Sequence, residues 1–119
     1  MTDSKFAYDL EERTFLFSKQ AIIFCKSISQ TTVSRPIINQ LVKSATSIGA
    51  NYIEANGASS KKDFRNKIFI AKKEAKETSY WLRLAVEISH SHSEIAVLQQ
   101  ECHELILIFQ KITSSLKDV

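Results

Sequence analysis

The residues of this chain best suited to chemistry lie between Lys61 and Arg83. Lys61, Arg65, Lys72, Lys76 and Arg83 fall in one narrow arc when a helix advances by 100° per residue, with Lys62 and Lys73 at its margin. Eight of the 16 Lys and Arg residues stand in this segment beside only three acids, so it carries +5 while the rest of the chain carries −2. A cationic arc of this kind suits a phosphate backbone, and Tyr80 sits among the cations, where a base can stack. Lys61, Lys62, Arg65, Lys72, Lys73, Lys76, Tyr80 and Arg83 are therefore the candidate nucleic-acid-binding residues, with structured RNA or an RNA–protein complex as the expected partner. Nothing in their pattern points to base-specific readout, so binding would be driven by charge and shape and would weaken with salt. The competing reading is a solvated, Lys-rich helix face.

Other chemistries find less support. Glu87-Ile88-Ser89-His90 has the Glu-x-x-His spacing of di-iron bundles, but such a site needs a second copy and two further inward carboxylates. Glu101-Cys102-His103-Glu104 does not provide that copy. No Ser/His/Asp or Cys/His grouping and no Gly-rich phosphate loop is apparent. No catalytic residue, metal or cofactor is expected, and a metal-binding bundle enzyme is the least favoured alternative. Cys25 and Cys102 lack metal or redox spacing and fall in apolar stripes, which reads as two buried free thiols.

Four helices would have to position these residues. The first is expected over about 8–28, with Leu10, Thr14, Phe17, Ala21, Phe24 and Ile28 on one face and a frayed segment before it. Phe15, Leu16, Ile22 and Ile23 add apolar surface that an ordinary surface helix does not need. The second is expected over 35–57, opened by Ser34 as N-cap with Pro36 in its first turn and stopped near Asn56-Gly57. Its core face is Ile38, Leu41, Ala45, Ile48, Tyr52 and Ala55. Beside that face run Ser44, Ser47, Asn51 and Glu54. Ser47, Asn51 and Glu54 read as a polar seam that sets helix register, with Lys67 or Lys73 as charge partner, against the sharper reading of a binding site.

The third helix is expected over 61–89, behind a Ser60-x-x-Asp63 capping box. Phe64, Ile68, Ala71, Ala75, Thr78, Leu82 and Ala85 form its core face, and Ile70, Trp81, Leu84 and Ile88 form a second apolar face that is the candidate oligomer interface. The fourth is expected over 92–117, behind Ser91-x-x-Glu94, with Ile95, Leu98, Cys102, Leu105, Phe109, Ile112 and Leu116 inward. Four helices with three short connections predict an all-α, antiparallel up-down-up-down four-helix bundle, with 1–119 as a single domain.

Composition agrees. Two Gly and one Pro in 119 residues are too few for the turns of a β-protein. The polar start and the absence of a long apolar run predict a cytoplasmic protein with no membrane partner.

The stretch Ser47-Ile48-Gly49-Ala50-Asn51-Tyr52-Ile53-Glu54-Ala55 resembles the Ser-Ile-x-Ala-Asn-Ile-x-Glu-Gly pattern of the bacterial four-helix-bundle proteins encoded by intervening sequences in 23S ribosomal RNA genes. It departs at Ala55, where the pattern has Gly. Ser59 with Lys61-Lys62-Asp63-Phe64, and Lys73-Glu74-Ala75 followed by Glu77-Thr78 and Tyr80-Trp81-Leu82, are similar to third-helix segments of one branch of that family. The resemblance implies a ring-like homopentamer. It also implies a nucleic-acid role, since a related branch serves a reverse transcriptase in diversity-generating retroelements. It implies no catalytic reaction. The surplus apolar surface separately predicts self-association. The alternative is a purely structural or protein-interaction module whose basic face is incidental.

Overall fold

In the computed structural model, which describes residues 4–117, four α-helices lie side by side: α1 (Ser4–Lys26), α2 (Ser34–Asn56), α3 (Lys61–Leu84) and α4 (His92–Ser115). Successive helices run antiparallel, giving a four-helix bundle about 45 Å long and 23 × 20 Å across. The bundle exists because each helix carries one continuous apolar stripe that water disfavours. Every core position expected on α1, α2 and α3 is buried. On α4 the stripe is buried from Ile95 to Ile112, and Leu116 at its end is half-buried. Tyr52 and Phe109 meet near the centre, their ring centroids 6.2 Å apart.

The helix ends depart from expectation for local reasons. α1 begins earlier, at Ser4, and stops at Lys26 rather than 28. There Ser27 and Ile28 bond three residues back, to the carbonyls of Phe24 and Cys25, and the chain tightens into a turn. Ser34 is not the N-cap of α2 but its first helical residue. Its buried hydroxyl donates to the Ser29 carbonyl (2.6 Å) and accepts from the Thr31 N–H (2.8 Å), tying the connection to the bundle. Thr31 does the capping instead, its Oγ1 accepting from the N–H groups of Val33 and Ser34. α2 ends one residue before the expected 57, at Asn56.

α3 does not reach residue 89. The α-helix ends at Leu84 and tightens into a 3-10 turn over Ala85–Glu87, closed by the Ile88 N–H on the Ala85 carbonyl at 3.1 Å. The Ser60 hydroxyl does cap α3, accepting from the Asp63 N–H at 3.0 Å. At α4 the expected side-chain cap is absent. Ser91 there uses its backbone carbonyl to accept from Ile95, and its own N–H is taken by the Ser89 hydroxyl. α4 ends at Ser115, short of 117. No described helix is long and apolar enough to cross a membrane.

Candidate nucleic-acid interface

α3 turns its core face into the bundle and leaves the cationic arc beside its seam with α4. Lys72 marks that border: its Nζ donates to Gln110 Oε1 on α4 at 2.8 Å. Lys61, Lys62, Lys73, Lys76 and Arg83 are exposed, and Arg65 and Lys72 are half-buried. The ion pairs among the described residues lie elsewhere, at Arg13–Glu101, Arg13–Glu104 and Lys67–Glu54. The charge of the arc is thus not spent on neighbouring carboxylates.

Phe69 lies inside this face and was not singled out by periodicity, which places it at the edge of the arc. The Arg65 guanidinium lies 4.7 Å from its ring centroid and the Lys72 ammonium 4.9 Å. Its spacing contained the signal: a residue four after Arg65 and three before Lys72 stands between them on one helix face. Arg65 Nε is buried with no hydrogen-bond acceptor, so the ring rather than an ion pair holds this guanidinium. Tyr80 is exposed and meets Trp81 edge-on, with centroids 5.0 Å apart.

The other candidate residues are scattered around the bundle. Of the polar stripe on α2, Ser44 alone is fully buried, its hydroxyl 2.9 Å from that of Thr78 on α3. Ser47 and Asn51 are half-buried and bond within their own helix, to the carbonyls of Lys43 and Ser47. Glu54 is exposed and pairs with Lys67 across to α3 at 3.6 Å. On the second apolar face Ile70 is exposed, while Trp81, Leu84 and Ile88 are half-buried, and Trp81 donates to Glu77 at 3.3 Å.

A larger apolar strip lies on the outside of α1. Phe15 (59% exposed), Leu16, Ile22 and Ile23 (57%) face out, with Ile53 of α2 and Val97 of α4 to either side. Ile23 lines both the groove shared with α2 and the one shared with α4.

Arg13 spans α1 and α4, giving Nε to Glu101 and Nη2 to both Glu101 and Glu104, at 2.7, 2.7 and 2.8 Å. These bonds, Glu101's first, raise the Arg13 pKa further above its ordinary value. Hydrogen bonds from Gln100 and then Arg13 hold the Glu104 carboxyl below the usual range. Burial pushes the Cys25 thiol up to about 11 and the Cys102 thiol up to about 12, so both stay protonated at neutral pH. Among the described residues, no three His, Cys, Asp or Glu side chains gather where a metal could bind, and Glu87 and His90 are both exposed.

Fold and surface together define an all-α antiparallel bundle with one cationic, ring-bearing helix face. The chain belongs to the 23S rRNA-intervening sequence protein family, whose model matches residues 9–111. It is similar in structure to a protein of unknown function from the S23 ribosomal protein family of Bacteroides thetaiotaomicron VPI-5482. That similarity has a TM-score of 0.80 at 29% sequence identity and covers 91% of this chain and 97% of the other. Comparison with curated protein sequences finds no match.

Proposed function

We propose that this protein is a non-catalytic, self-assembling helical bundle, a homopentamer, that binds RNA or a ribonucleoprotein through the basic face of α3. The observation that carries the RNA reading is the arc of Lys61, Arg65, Lys72, Lys76 and Arg83, whose cations have no carboxylate partner among the described residues. An assembly repeats that arc once per subunit. A phosphate backbone then meets several arcs at once, and individually weak contacts combine. Self-association is supported by the apolar strip on α1, a surface that a monomer would leave in water.

Two measurements test the reading. Light scattering should give the mass of five chains. Structured RNA should be retained on filters at low salt and released steeply as salt rises. An assembly that retains no RNA would favour the protein-interaction reading, and a monomer would remove the repeated arcs on which the avidity argument depends.

A further inference from the structure

The cationic face of α3 carries rings as well as charge. Phe69 is 37% exposed and Tyr80 53% exposed, and neither belongs to the core cluster. Eleven residues of helix separate them, about 16 Å at 1.5 Å per residue, and they lie within about 20° of each other around the axis. Lys72, Lys73 and Lys76 stand between them in the chain and Arg83 lies beyond. A merely solvated face has no use for two large rings interleaved with cations, because exposed rings leave apolar surface in water. Each ring is also braced. Phe69 is held by Arg65 and Lys72, and Tyr80 rests edge-on against Trp81.

A duplex offers such a face only its phosphates, since its bases are stacked inside. An unpaired strand offers both phosphates and the flat faces of its bases, which stack on aromatic rings and on Arg guanidinium planes. The distance from Phe69 to Tyr80 corresponds to about five nucleotides at the stacked rise of ~3.4 Å. We propose that this face of α3 binds an unpaired nucleic-acid strand. The phosphates lie along Lys72, Lys73, Lys76 and Arg83, one base meets Phe69 with Arg65, and another meets Tyr80. The inference rests on the phosphate-binding reading above and adds the state of the strand. Stacking of this kind tolerates any base, so little sequence preference accompanies it.

The test is fluorescence anisotropy with a labelled RNA of about 12 nucleotides, used alone and annealed to its complement, in matched salt. The single strand should bind about tenfold more tightly than the duplex. Phe69→Leu with Tyr80→Leu should erase that preference, lowering single-strand affinity far more than duplex affinity, while Tyr80→Phe, which keeps the ring, should retain its share. Lys72→Glu with Lys76→Glu should weaken both forms. Trp81, the single tryptophan, supplies a second readout in the unaltered protein, because a base on Tyr80 should change its emission where the duplex does not. Equal affinity for strand and duplex, unmoved by the ring substitutions and without a Trp81 response, would overturn the inference and leave a charge-only surface. Absence of any binding, single-stranded or duplex, would take the parent reading down with it.

Discussion

Thr78 brings a hydroxyl into the middle of the bundle, and its partner there is Ser44, 2.9 Å away on the neighbouring helix. Both residues are fully buried, so neither hydroxyl can turn to water. Thr78 also contacts the Glu74 carbonyl at 2.8 Å, and Ser44 has only the longer Leu41 carbonyl, at 3.3 Å, to fall back on. Thr78→Val, equal in shape, should therefore cost about 1–2 kcal/mol in urea unfolding. A double-mutant cycle with Ser44→Ala should return a coupling of about 1 kcal/mol, since the pair acts as one unit. Glu104 gives the residue-scale pH dependence. Its folded pKa is depressed, so its contribution to stability is present above the unfolded value of ~4.3 and is lost as pH falls through the lower folded value. Glu104→Gln should accordingly flatten the acid limb of a pH–stability profile measured by thermal melting, with little change of slope near neutrality.

At the scale of elements, two glycines at either end of one argument separate packing from propensity. Gly49 lies in the interior of α2, where Ala is preferred by about 1 kcal/mol. A Cβ there would stand 3.1 Å from Thr14 Oγ1 and 3.3 Å from Thr14 Cβ. Thr14 is fully buried, and its hydroxyl is engaged with the carbonyls of Leu10 and Glu11, so it has little room to yield. Overpacking costs about 1–3 kcal/mol, so Gly49→Ala should lower the melting temperature by loosening α1 from α2. Gly57 ends α2 at φ −93°, a conformation open to any residue, and an added Cβ would meet nothing closer than 3.7 Å. Gly57→Ala should raise stability by about 0.4–1 kcal/mol. The sequence marked Gly57 correctly as the place where α2 stops. It did not show that the stop makes no use of left-handed backbone, because a cap's φ depends on the chain that follows it. The same limit explains Ser34, whose hydroxyl is claimed by Ser29 and Thr31 in the preceding connection rather than by the helix it opens.

For the whole molecule the decisive question is what covers α1. Its inner stripe is buried, with α1 packed against α2 and α4, and Arg13 binds it to α4 through Glu101 and Glu104. Its outer side still presents Phe15, Leu16, Ile22 and Ile23, and Val97 across the groove is 64% exposed. If this strip is where subunits meet, Phe15→Glu with Ile23→Lys should reduce the mass measured by light scattering while the helical circular dichroism is preserved. These side chains contribute little to the interior of one bundle, so loss of assembly without loss of fold is the expected signature. The proposed RNA role scales with assembly. The same variant should also lose much of its avidity for long RNA but keep the affinity of a single arc for a short one.

What the sequence determined by itself is the identity of the four helices and the inward face of each. A stripe repeating every three to four residues is a local record of burial, and the described core follows it almost residue by residue. The cationic arc was legible for the same reason, being a pattern within one helix. Tertiary structure alone decided the contacts between helices. Arg13 meets Glu101 across 88 residues of chain, Ser44 meets Thr78 across 34, and Glu54 meets Lys67 rather than Lys73. Such pairings depend on how far each helix is rotated and slid against its neighbour, and side-chain periodicity along one helix carries no term for either.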